Sequence, residues 1–371
     1  MNAITLHIEL FSTLFKNFTP LLFLLFSTCV NEPPDHVASE NKWQDIPELS
    51  GMDIWDVKIY NDEIYVAGRD FSGKGAIYKS SDAIHWDVFV PSIGDSLEFG
   101  VGAIDFYNGH LIACASGQPL YLIINSIITR LTEPLGDIRE MIVDKENNIL
   151  IGTYLPGYFC KYITPDSTYD IYDSLFTPPD GGCYKQAGIT GGISVSKFLL
   201  NESSNDILIG NISLNYHFVS AFSNRSIDCF PNNGLTSVDR FHGCHDLIFI
   251  NDTLFAAGGK GTIKYLDQSE WKVYGDTLPK TPDSALTIPT AIAYDEVKKE
   301  IYVASNYIGV TKLVENSGWV TLNNGLESVQ GYYDFIPNLT YFKGVLLLTY
   351  GTSKNYQSSS RGARYYSLNY E

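Results

Sequence analysis

Three carboxylates, Asp56, Glu140 and Asp246, fall at one equivalent position when a segment that recurs along the chain is aligned on its turns; Ala103 and Thr290 take that position in two further copies. Acids gathered from separate repeats can bind a hard cation through oxygen, or can split their pKa values to supply an acid and a base. The structural alternative is that each sits at a strand end and bonds to loop amides. His242-Gly243-Cys244-His245-Asp246 enters the same region with ligand-type atoms for zinc or copper. The spacing is not a standard zinc spacing, so a structural or disulfide role stands beside the metal reading. Tyr332-Tyr333 and Trp55 add aromatic rings that can form a platform for a sugar or a peptide, or can pack between repeats.

The elements that must position these groups come from a short apolar strand ending in small residues, present seven times. Its copies are Ile64-Tyr65-Val66-Ala67-Gly68, Leu111 to Ser116, Ile149 to Thr153, Ile207 to Asn211, Leu254 to Gly258, Ile301 to Ser305 and Leu346 to Gly351. Their starts are 47, 38, 58, 47, 47 and 45 residues apart. A period near 45 fits one four-stranded propeller blade. A strand precedes each copy and ends in a turn such as Asn61-Asp62, Asn108-Gly109 or Asn251-Asp252, residues that accept positive backbone angles. After it come a third strand and a fourth that often opens on tryptophan: Trp86, Trp271 and Trp319.

The seventh unit runs out after its third strand, near Ala363 to Tyr370. Lys42-Trp43-Gln44-Asp45-Ile46-Pro47 resembles the fourth-strand openings at Trp271 and Trp319 but precedes the first unit. The expectation is an all-β, seven-bladed β-propeller over 42–371, closed by an N-terminal strand from Trp43 to Leu49, so that few sheet edges stay open.

Residues 1–29 read as a signal peptide. Pro20 to Thr28 is apolar, Lys16 precedes it and Cys29 follows, with a polar linker over 30–41. The apolar core is too short to span a bilayer comfortably. The arrangement resembles the lipobox of bacterial lipoproteins, although Phe26, Thr28 and Glu9 depart from the usual pattern. That resemblance implies lipidation at Cys29, membrane attachment through the lipid, and a place in the bacterial cell envelope.

The formal net charge of −17 argues against a nucleic-acid partner, since phosphate neutralisation needs clustered Lys and Arg. Five cysteines remain beside Cys29. Cys114 and Cys160 fall in predicted strands and read as buried thiols, whereas Cys183, Cys229 and Cys244 flank the fourth unit, where one disulfide can form.

Tyr78-Lys79-Ser80-Ser81-Asp82-Ala83-Ile84-His85-Trp86 resembles the Asp-box, or bacterial neuraminidase repeat, with Ala83 and Ile84 where a glycine is usual. Asn233-Gly234-Leu235 and Asn324-Gly325-Leu326 resemble the Gly-Leu links between blades of such propellers. The resemblance implies a structural turn away from any active site. Sialidase chemistry is not supported: seven arginines are present in all, with Arg361 and Arg364 together in the last unit, and Phe335-Ile336-Pro337-Asn338 lacks the arginine of the family signature. These features lead to an exported binding or scaffolding module for a glycan, peptide or protein, with no cofactor beyond a cation at the channel mouth. The alternative is a carbohydrate-active enzyme, a hydrolase or lyase, using the carboxylates there.

Overall fold

Tight two-residue turns set the register of this protein. Asn61-Asp62, Asn108-Gly109, Asn251-Asp252 and Lys343-Gly344 all have positive φ, the geometry that matches the twist of a hairpin. The computed structural model describes residues 42–90, 100–114, 117–125, 127–132, 138–153, 160–164, 167–170, 194–212, 218–223, 226–329, 332–334, 336–351 and 362–368. Cys29, Cys183, Phe335, Arg361, the leader and the linker lie outside them, and so do the side chains of Tyr332, Cys160 and Cys229. Among the described residues no helix is long and apolar enough to cross a membrane.

The fold is an all-β propeller. Six four-stranded antiparallel sheets are each built from four consecutive strands, and their innermost strands are Asp53–Tyr60, Ala103–Tyr107, Ile138–Val143, Ser194–Leu200, Cys244–Ile250 and Pro289–Asp295. The chain therefore makes six complete blades from consecutive strands, where the repeat count leads one to expect seven. The last unit supplies only three, Asn338–Phe342, Val345–Tyr350 and Gly362–Ser367, and the fourth place beside Gly362–Ser367 is taken by Gln44–Asp45. This added strand is two residues long, shorter than the expected Trp43-to-Leu49 segment. Pro47 has no amide hydrogen to give to a ladder, and Pro47–Leu49 turns into a 3-10 helix.

Neighbouring sheets share apolar clusters. Tyr65, Ala67 and Ile77 of the first pack with Ile104, Leu111 and Ala113 of the second. Ala291, Tyr302 and Ala304 of the sixth pack with Leu339, Leu346 and Leu348. Phe342, Leu347 and Ala363 of the last sheet pack in turn with Ile54, Val57 and Ile64 of the first. The small residues that end each repeated strand make room for the neighbouring inner strand: a Cβ on Gly152 would stand 2.7 Å from Val195. Cys114 and Cys244 are buried within these clusters, in keeping with thiols acting as small hydrophobes.

Three tryptophans mark equivalent seams. The indoles of Trp271 and Trp319 donate to Pro231 O (3.0 Å) and Asp276 O (2.8 Å), and that of Trp43 donates to Leu322 O. The backbone amides of Trp271 and Trp43 donate to Asn233 O and Asn324 O, both at 2.8 Å. Gly234 and Gly325, at positive φ, lie so close that an added Cβ would be 2.0 Å from Trp271 O and 2.4 Å from Trp43 O. Trp43 thus occupies in the last sheet the place Trp271 occupies in the fifth. Arg364 ties the same seam, donating to Asp45 Oδ1 (2.7 Å), Gly325 O (2.9 Å) and Glu327 Oε1 (3.0 Å).

Candidate functional site

Five innermost strands carry a bulge at the same place, between Ile54 and Asp56, Ile138 and Glu140, Val195 and Lys197, Cys244 and Asp246, and Pro289 and Ala291. The extra residue in each is Trp55, Arg139, Ser196, His245 or Thr290, and a bulge re-aims the side chains beside it. Opposite the small residue of the repeat the register then places Asp56, Ala103, Glu140, Lys197, Asp246, Ala291 and Asn338 in successive sheets. Counting back from Tyr294 puts Thr290 at this level of the sixth sheet; the strand runs one residue further, to Asp295 paired with Glu300, and the place falls to Ala291. The fourth sheet, which the aligned repeats left without a residue at this level, puts the base Lys197 there, opposite Gly210.

The three acids do come together electrostatically, with two lysines between them. Glu140 lies 3.4 Å from Lys58 Nζ of the first sheet and 3.3 Å from Lys197 Nζ of the fourth. Burial disfavours both ammonium groups, but Glu140 and the neighbouring aspartates outweigh it, so both lysine pKa values rise and both side chains stay charged. Asp56 accepts Val57 N–H and, across to the second sheet, Ile104 N–H, both at 2.8 Å. Asp246 accepts Leu247 N–H and, from the sixth sheet, Ile292 N–H, both at 2.9 Å. Asp105, two residues beyond Ala103, repeats the device with Phe106 N–H and with Val143 N–H of the third sheet at 2.8 Å.

Each aspartate is therefore a bracket between adjoining inner strands. Burial pushes Asp56 up to about 6, against the pull of Lys58, and raises Asp105 and Asp246 for the same reason. Glycoside chemistry asks for two carboxyl groups facing each other across an open cleft, and here both oxygens of Asp56 already serve backbone amides. Among the described residues no group of three or more His, Cys, Asp and Glu is placed to hold a metal ion. The positive charge that a cation would bring is supplied by Lys58 and Lys197.

The histidine segment separates into different environments. Cys244 is buried, its thiol donates to Asp246 O at 3.4 Å, and burial pushes its pKa well up. His245 is the bulged residue, and burial holds its pKa down to about 4. His242 closes the short helix Ser237–His242; burial and nearby Lys260 lower its pKa. Trp55 is packed between Arg69, whose guanidinium lies 5.4 Å from the ring, and Gly100, where an added Cβ would be 2.7 Å from the indole. It fills a contact between sheets. Tyr333 is half-buried, in a small hairpin of Ser328–Val329 with Tyr332–Tyr333, and its amide donates to Tyr307 O.

The turn around Asp82 lies on the opposite side, with the two-residue hairpins: Lys343 Nζ donates to Asp62 O and Ser81 O there. Asp82 Oδ1 accepts Ile84 N–H and His85 N–H at 2.8 Å, Ser80 Oγ accepts Ala83 N–H at 2.8 Å, and Ala83 takes the left-handed φ of 63° that a glycine would take. Burial raises Asp82, but the His85 ring and these amides draw it down to about 2.

No protein-family model matches the chain, and no curated protein does. Solved structures give the fold. The extracellular domain of the BT4673 system of B. thetaiotaomicron aligns with a TM-score of 0.57 at 10% identity, over 88% of this chain and 40% of that one, so the chain spans less than half of that protein's length. Virginiamycin B lyase from Staphylococcus aureus, in a catalytically inactive form with quinupristin, aligns at 0.59 and 12% identity over 88% of this chain and 99% of its own. PorZ, a surface component of the type-IX secretion system of Porphyromonas gingivalis, aligns at 0.53 and 13% identity over 85% and 46%. The chain is a β-propeller.

Proposed function

We propose that this chain is an exported binding module, built as one closed seven-bladed ring completed by its N-terminal strand, whose ligand sits on the face made of the long connections. One observation carries the reading. Among the described residues, seven of the nine large apolar side chains exposed outside the outermost strands lie on that face, Phe71, Leu131, Ile212, Val238, Phe241, Leu286 and Tyr307, in connections there or at their edges, with Ile59 and Val297 on the hairpin side. Loops held by a rigid scaffold are where binding concentrates, and the charged side chains below are engaged with one another and with backbone amides.

The lipobox-like leader and the propellers of the BT4673 extracellular domain and of PorZ support an exported, lipid-anchored protein of the cell envelope, facing a glycan, peptide or protein and no nucleic acid. Labelling cells with a fatty acid should mark the full chain and leave Cys29→Ser unmarked. An unmarked wild type would remove the anchor from the proposal.

The binding reading itself is tested on a combined glycan and peptide array. The full chain should retain a defined ligand, and Asp82→Ala, on the opposite face, should cost about 1–2 kcal/mol of stability through its lost hydrogen bonds with binding unchanged. An array that is blank throughout, or a ligand lost with Asp82→Ala at a temperature where that variant is folded, would overturn it.

A further inference from the structure

The helix Ser237–His242 is too short to persist by itself, yet it is held firmly. Thr236 and Asp239 form a reciprocal cap, with Thr236 N–H donating to Asp239 Oδ2 at 2.9 Å and Asp239 N–H donating to Thr236 Oγ1 at 3.2 Å. The same Oδ2 lies 3.1 Å from Lys264 Nζ in an ion pair with both side chains about 5% exposed. At the other end Gly243 N–H donates to Asp239 O, and Gly259 N–H donates to Gly243 O at 2.8 Å, which fixes Lys260 beside the helix.

What this anchoring displays is apolar. Val238 and Phe241, one turn apart on the same side, are 45% and 51% exposed. Ile212 abuts Gly243, and Leu286 abuts Gly261, so exposed apolar groups continue on both flanks. The charge of the patch runs against that of the molecule. Arg240 and Lys260 stand there in a chain of net charge −17, and the buried Nε of Arg240 has no hydrogen-bond partner.

We propose that this helix and its flanks are a docking site for an acidic, apolar peptide segment of a partner protein, whose carboxylates meet Arg240 and Lys260 while its apolar side chains cover Val238 and Phe241. The proposal rests on the reading of the loop-built face as a binding face and names its occupant. Aliphatic groups at Val238, Ile212 and Leu286 around the one aromatic ring of Phe241 suit apolar peptide side chains, and Arg240 and Lys260 suit carboxylates. Because the buried Asp239–Lys264 pair already fixes the helix, little ordering cost falls on binding.

The test uses the full chain and short synthetic peptides composed of Glu, Leu and Phe, of Lys, Leu and Phe, and of Glu and Ser, together with polyuronic acid. The first peptide class should bind best and weaken as salt rises. Phe241→Ser, and separately Arg240→Gln with Lys260→Gln, should each reduce that binding roughly tenfold or more. Val297→Ser, on the hairpin side, should leave it unchanged. Equal binding of the Glu/Ser peptides, preference for the Lys-containing peptides or for polyuronic acid, or indifference to Phe241→Ser would each overturn the proposal. If none of these probes binds but the broader array yields a ligand, the docking site falls and the binding module stands; a blank array removes both.

Discussion

Replacing Glu140 by alanine should destabilise the protein by about 3 kcal/mol, because it strands Lys58 and Lys197 beside each other with their shared counter-charge gone. Chemical denaturation measures this directly. The exposed pair Lys145–Glu202 supplies the contrast, and Glu202→Ala should change stability little, since both partners are already in water. The comparison also separates two roles for the buried acid. A carboxylate kept for catalysis or for a cation commonly costs stability, so that its removal is neutral or favourable. A neutral or stabilising Glu140→Ala would therefore return Glu140 to the list of catalytic or cation-binding candidates.

That cluster shows where sequence reasoning works and where it stops. The repeated strand and its Asn-containing turns place Asp56, Glu140 and Asp246 at one level, since the two-residue hairpins of the first and fifth sheets and the longer turn over 144–148 of the third each fix the register of the strands they join. The sixth hairpin turns over four residues, Glu296 to Lys299, and its inner strand ends at Asp295, so the place that counting from Tyr294 gives to Thr290 belongs to Ala291. Lys58, Asp105 and Lys197 lay in plain view at the same or the next inward level. Acids read without the bases beside them suggest a cation site or a catalytic pair. The meaning of the aspartates was not legible, because a carboxylate that brackets two strands and one that waits for substrate have the same spacing. At Ala83 the turn keeps its form without the expected glycine, as Asp82 and Ser80 collect enough amide hydrogens to hold a left-handed alanine. Arg364 is taken up by Asp45, Glu327 and Gly325 O, which leaves the sialidase reading as unsupported as the arginine count made it.

The seam is the second place where a large effect is expected. Gly325→Ala should cost about 2 kcal/mol or more, from the unfavourable φ of 87° and from the clash with Trp43 O. Gly234→Ala should do the same against Trp271. The two differ in one respect that thermal melts can read: with residues 1–50 removed, Gly325→Ala loses its clash and should cost less, whereas Gly234→Ala should cost as much as before. An undiminished Gly325→Ala penalty in the shortened chain would show that Trp43 does not dock there.

The closed ring is tested most directly by calorimetry on the chain beginning at residue 30 and on the chain beginning at residue 51. Removing residues 30–50 exposes the partners of Trp43, Ile46 and Leu49, all buried, and uncovers the edge of Gly362–Ser367. At about 2 kcal/mol for each such side chain, a ring completed by this segment predicts a melting temperature lower by on the order of 10 °C. An unchanged melting temperature would contradict the closure, and with it the single loop-built face on which the proposed binding depends.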